Sequence, residues 1–200
     1  RGMSTRMNML LGCPNMEWWY DDVLSYYGRQ IIPTFGAAYA KAVTGNRVTA
    51  LCMYHMYLNN WMSGDLRYDL AEYEVLNRAM IAITNGCYWA DINGWPAGYD
   101  ASATKIYVDT LANIYNRKQW LMRTEQIPHI AMLFSEQSRQ FYAYANSSLV
   151  LSPGIGMFRA LLNEHLPVTV INDWDVANPV TLAKYKVLIL PNCAALSQDQ

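Results

Sequence analysis

The chain is poor in the residues that build metal and redox sites. Its 200 residues include three histidines and four cysteines, Cys13, Cys52, Cys87 and Cys193. None of the cysteines forms a CxxC pair, so the spacing carries no metal signature, and neither metal nor cofactor is expected. Each cysteine lies in or beside an apolar run, where a small buried hydrophobe is the plain expectation. Charge is scarce too: Asp, Glu, Lys and Arg make up 16% of the chain, with a formal net charge of -1. No basic patch stands out, which argues against nucleic acid as the main partner. No run of 18 apolar residues occurs, so no membrane-spanning helix is expected. The chain opens at Arg1 without a starting Met or a signal peptide. It reads as an internal fragment, and the missing signal is then silent about export.

Apolar residues, by contrast, make up 52%, enough for a sizeable core. Seven Trp and fifteen Tyr are present, and several lie beside Asn, Asp and Gly rather than on helical stripes. Residues 8–13 form a short apolar run closed by Pro14, read as a strand. Residues 15–22, aromatic and acidic together, follow as its loop. A helix is predicted over 23–43, with Pro33 as a kink or break. A second buried strand spans 48–54 and opens into the polar, aromatic stretch 55–65. A helix is predicted over 69–85, with Leu70, Tyr73, Leu76, Met80 and Ile83 on one face and Gly86 as its stop. A third strand covers 87–92 and its loop 93–103. The next helix, 104–123, carries Tyr107, Leu111, Ile114, Tyr115, Leu121 and Met122 on one face. The pattern is strand then helix three times over, with continuous apolar strands suited to a parallel sheet covered on both faces. An apolar strand that ends in Asp, Asn and Trp, as 87–95 does, is what a (β/α)8 barrel strand looks like where it opens into an active site.

The texture changes at 124–129, which places a domain boundary there and divides the chain into 1–125 and 126–200. Strands are predicted at 130–134, 167–171 and 186–190. A helix starts with Ser152 as N-cap and Pro153 at its first position and buries Phe158, Leu161 and Leu162. A short helix over 180–185 joins the last two strands, and Ser197 is read as the N-cap of another. Asp173 and Asp175 are read as loop or subunit-contact residues. This second α/β unit resembles a flavodoxin-like half. The fold class expected is therefore α/β: the C-terminal part of a TIM (β/α)8 barrel, then the start of a flavodoxin-like parallel domain.

If the three strand ends of the first part meet, they bring together Glu17, Trp18 and Trp19, then His55, Asn59, Asn60 and Trp61, then Trp89, Asp91, Asn93 and Trp95. Such a set suits a sugar, whose C–H faces stack on indoles and whose hydroxyls pair with carboxylates and amides. Glycoside hydrolysis needs two carboxyl groups, one to protonate the leaving oxygen and one to attack or to activate water. Glu17 and Asp91 are the candidates. Plainer readings stand beside them. Glu17 can be a solvated acid at a helix start and Asp91 a turn former. His55 can be a satisfied half-buried histidine, and Trp89 a core filler.

Four segments carry a family resemblance: 78–86 before the third strand, 130–135, 156–168, and 185–197 (Tyr-Lys-Val-Leu-Ile-Leu-Pro-Asn-Cys-Ala-Ala-Leu-Ser). They resemble the end of the barrel and the following trimerisation domain of the family 42 β-galactosidases and related fucosidase-like hydrolases. That domain is similar to a glutamine amidotransferase without its nucleophile. The resemblance implies a carbohydrate substrate, carboxylate acid/base chemistry and a homo-oligomer such as a trimer. The family carries its nucleophilic Glu at the end of the next-to-last barrel strand, whereas the second strand here ends Cys52-Met53-Tyr54-His55. A non-catalytic carbohydrate-binding or assembly protein on the same scaffold is therefore the rival reading. A third is amidotransferase-like chemistry at Cys193, although Pro191-Asn192-Cys193-Ala194 lacks the glycine-rich elbow of such nucleophiles.

Overall fold

A computed structural model describes residues 15–18, 26–44, 51–54, 58–60, 65–67, 72–91, 101–122 and 125–200. The chain is mixed α/β and divides into two compact units. One consists of Asn15–Ala37 and Thr49–Glu125; the other takes in Gln126–Gln200 together with the last turns of the first helix.

In the first of these units, strands β1 (Asn15–Trp18), β2 (Leu51–Tyr54) and β5 (Tyr88–Asp91) form a parallel sheet in the order β1-β2-β5. Each of these neighbours is the next parallel strand along the chain, with helix α1 (Tyr26–Ala42) between the first pair and α2 (Glu72–Thr84) between the second. A small antiparallel hairpin, β3 (Leu58–Asn60) with β4 (Asp65–Arg67), is inserted before α2. The strand expected at 8–13 lies outside the described residues. The stretch expected as its loop is itself strand β1, which follows directly on Pro14. Proline at a strand entry removes no ladder donor from the residues after it.

Helix α1 passes through Pro33 without ending there. Its small residues Ala37, Ala38, Ala40 and Ala42 are buried. Helix α2 buries Val75, Ala79 and Ala82, with Arg78 beside them, rather than the larger residues expected. Tyr73 is 55% exposed. Alanine at the contact lets a helix approach its neighbour closely, and the bulkier Leu76, Met80 and Ile83 then fall to the half-buried flanks. The end of α2 is as expected. Gly86 has φ 73°, its N–H bonds Ile83 O, and the Cys87 N–H bonds Ala82 O. This is a Schellman cap, which needs the left-handed backbone that glycine adopts without strain.

Helix α3 (Ala101–Asn116) ends seven residues before the expected stop, and a separate turn, α4 (Lys118–Leu121), follows. Among its described residues Thr110 is buried, with Tyr107 and Ile114 half-buried, while Leu111 and Tyr115 are more than half exposed. The expected apolar face is thus only partly the covered one.

The second unit holds strands β6 (Ile130–Leu133), β7 (Val168–Ile171) and β8 (Val187–Ile189), all parallel, in the order β7-β6-β8. Ala131, Leu133, Ile171 and Val176 form a core against which Leu182, Tyr185, Cys193 and Leu196 pack. β6 and β7 are buried throughout, whereas Val187 of β8 is 47% exposed. β7 and β8 are both edge strands, with a ladder on one side only, but β8 alone is left largely uncovered. A π-helical turn, Ser138–Tyr142, follows β6. Helix α5 (Ser148–Asn163) starts a turn before the expected Ser152, and Pro153 lies inside it. Gly154 of α5 sits so close to Phe134 that a Cβ would lie 3.1 Å from the ring. Phe134 in turn meets Tyr39 of α1 edge-on at 5.1 Å.

Asn172 and Asp173 are buried at the C-terminal end of β7. Asn172 caps the short helix α6 (Asp173–Val176) in a reciprocal box with Asp175 and donates to the Ala42 carbonyl at 2.8 Å. Asp173, expected in a loop or subunit contact, is 2% exposed. Its Oδ2 accepts from the Glu136 and Gln137 N–H groups at 2.6 and 3.2 Å. Asp173→Ala is expected to cost about 2 kcal/mol, because it strands these two donors in the interior. Urea unfolding of the variant reads that loss. Helix α7 (Pro179–Leu182) is capped by Asn178 and leads into β8.

Candidate functional site

The C-terminal ends of β1, β2 and β5 come together because parallel neighbours in register finish at one edge. The last row of that edge is Trp18, Tyr54 and Asp91; the row before it is Glu17, Met53 and Ala90. Strands in a sheet are about 4.8 Å apart, so the Glu17 and Asp91 backbones, two strands apart, are separated by roughly 10 Å. The first unit thus gathers two acidic positions and one Trp position at one sheet edge. Glu17 belongs to the strand itself, one position from its end, rather than to a loop four residues beyond it.

Trp89 is half-buried in β5. Its ring stacks on Tyr107 of α3 with centroids 6.2 Å apart and planes inclined by 9°. The indole Nε1 and the Tyr107 hydroxyl are both buried without a hydrogen-bond partner. This stack marks the sheet face that the helix covers. Side chains alternate along a strand, so positions 88 and 90 belong to the other face, and Tyr88 is indeed exposed.

Asn60 is not at the edge formed by β1, β2 and β5. It closes the hairpin, in register with Asp65. His55, Trp61, Asn93 and Trp95 lie outside the described residues. Tyr54 and Tyr107 were not singled out by sequence. Tyr54 reads as one more apolar strand residue beside His55, and Tyr107 as core on a helical face. Only the strand register and the ring stack promote them.

The C-terminal edge of the second sheet carries Ser135 after β6, Asp173 after β7 and Cys193 after β8. The Ser138 hydroxyl ties this edge together, donating to Ala195 O and accepting from Ala195 N. Burial, and secondarily the charge of Asp173, pushes the Cys193 thiol up to about 11, against a smaller opposing pull from the Ser135 backbone. The thiol is therefore protonated at neutral pH, the opposite of what an activated nucleophile needs. Alkylation of Cys193 by iodoacetamide at pH 7.5 is expected to run about 100-fold slower than that of a free cysteine, as read by mass spectrometry. Burying the neutral thiol stabilises the fold fully below about pH 9 and stops doing so as pH rises through about 11. Tyr185, also raised mainly by burial, adds to this alkaline loss.

No protein-family model matches the chain, and no curated protein sequence matches it significantly. Among the described residues, no group of three or more His, Cys, Asp or Glu is placed to hold a metal ion. No described helix is long and apolar enough to cross a membrane.

Proposed function

We propose that the chain is part of a glycoside hydrolase of the β-galactosidase or fucosidase kind. In this reading the first unit is the last part of a (β/α)8 barrel, and the second begins a flavodoxin-like oligomerisation domain. The observation that carries the reading is the convergence of Glu17, Trp18 and Asp91 at the C-terminal edge of parallel strands taken in chain order. Winding in chain order is how a barrel is built, and that edge is where barrels place their chemistry. The second-first-third order of β7, β6 and β8 is the order in which a flavodoxin-like sheet starts.

Within this reading Glu17 is the general acid. Its row, 17-53-90, alternates away from the face that Trp89 presents to α3, and a barrel's interior is the face away from its helices. Asp91 belongs to the next row and is assigned to substrate contact, with Trp18 beside it. His55, Trp61, Asn93 and Trp95 are proposed to border the same substrate, whereas Trp89, stacked on Tyr107 under the helix, and Asn60, in the hairpin, are left out of it. The lack of a carboxylate at the end of β2 favours a second reading, a carbohydrate binder without turnover.

Hydrolysis of aryl β-galactosides and aryl fucosides by the full-length protein separates the two. Turnover supports the enzyme, and sugar binding without turnover supports the binder. Asp91→Asn is expected to raise KM about tenfold with a smaller effect on kcat, as loss of a ground-state contact does. A loss confined to kcat would reassign Asp91 to the chemistry.

A further inference from the structure

Helices α2 and α3 bound an open groove of about 360 Å3, lined by Tyr73, Leu76, Asp109, Thr110 and Asn113. The volume is at the lower end of small-molecule sites. Thr110 forms a floor that is 3% exposed, and among the described residues no hydrogen bond of its hydroxyl is found. Tyr73 stands at the rim, more than half exposed, and among the described residues its ring meets no other ring and its hydroxyl makes no hydrogen bond. Asp109 and Asn113 are one turn apart on α3. Each is held by a cation a further turn away, Lys105 on Asp109 and Arg117 on Asn113 Oδ1. Lys105 neutralises the carboxylate but occupies only Oδ2. Asp109 Oδ1 and the Asn113 amide N–H groups remain for a ligand.

We infer that this groove is an accessory site for a neutral hexopyranoside, separate from the strand-end edge. The charge balance favours a neutral ligand. Lys105 cancels the pull of Asp109 on a free cation, and the carboxylate repels an anion. What remains is an acceptor, an amide donor and two hydroxyls around Leu76 and an aromatic ring. A sugar satisfies all of them, with hydroxyls toward Asp109, Thr110 and Asn113 and a C–H face on Tyr73. The ligand class is taken from the carbohydrate reading proposed above, but the site does not depend on Glu17 or Asp91.

The test is a titration of the full chain with methyl β-galactoside, followed by backbone amide NMR shifts to tens of millimolar. Saturable shifts at Thr110 and Asn113 are expected, weakened at least tenfold by Tyr73→Ala, and weakened also by Asp109→Asn. Tyr73 is largely exposed, so its removal leaves the fold and any aryl-glycoside turnover unchanged. The inference is overturned by absent shifts, by shifts that survive Tyr73→Ala, or by equal shifts from glycerol. Turnover without groove shifts would sink this site and leave the hydrolase reading standing. Groove shifts without turnover would do the reverse.

Discussion

Glu17→Gln is expected to lower kcat for an aryl β-galactoside with a poor leaving group by about 10³-fold, with KM little changed. General acid catalysis contributes typically 10²–10⁴-fold, and the amide keeps the size of the carboxyl while removing its proton. An activated aryl leaving group needs less protonation, so the loss should shrink toward tenfold on a dinitrophenyl glycoside. That dependence on the leaving group tests the acid role more sharply than the loss itself. A carboxylate that only binds substrate would cost the same on both substrates. A nucleophile would cost heavily on both. Unchanged turnover of the poor substrate would remove Glu17 from the mechanism and return its position in β1 to ordinary sheet structure.

Phe158→Ala is expected to destabilise the second unit by about 3–5 kcal/mol, the usual cost of emptying a fully buried phenylalanine site. Phe158 is 2% exposed on α5, in the same unit as Val150, Leu161 and the β6 and β7 strands. The hole would not close readily. Nearby on α5, Gly154 already presses on Phe134, whose ring is held edge-on by Tyr39. A domain is stable by only about 5–15 kcal/mol, so the variant should lose a large share of that margin. Urea unfolding would show the shift. A change below about 1 kcal/mol would mean that this core repacks far more easily than its burial implies.

Local chemistry was legible where neighbours in sequence are also neighbours in space. The cap at Gly86 is one case, since a helix end needs a residue that tolerates positive φ. The strands at 51–54, 88–91, 130–133 and 168–171 are others: short apolar runs between turn signals. The box of Asn172 and Asp175 is equally a local pattern, although acids just after a strand also read as a loop. The failures share a different cause. Which face of α2 is buried was set by the close approach that Ala79 and Ala82 allow, and periodicity alone selected the larger residues. Asn15–Trp18 lacks the continuous apolar run of a buried parallel strand, so its place in the sheet came from pairing with β2. β8 has that run and is nonetheless largely uncovered.

The sequence alone determined that the chain is α/β, that apolar strands alternate with helices, and that acidic and aromatic residues cluster near the strand ends. These follow from local propensity and the spacing of apolar side chains. The tertiary structure decided that Glu17, Met53 and Ala90 share one row and Trp18, Tyr54 and Asp91 the next, that Asn60 belongs to a hairpin, and that Asp173 is interior. Each of these depends on strand register or on contacts between residues far apart in the chain. Such contacts are chosen by the packing of whole elements rather than by any residue's own preference.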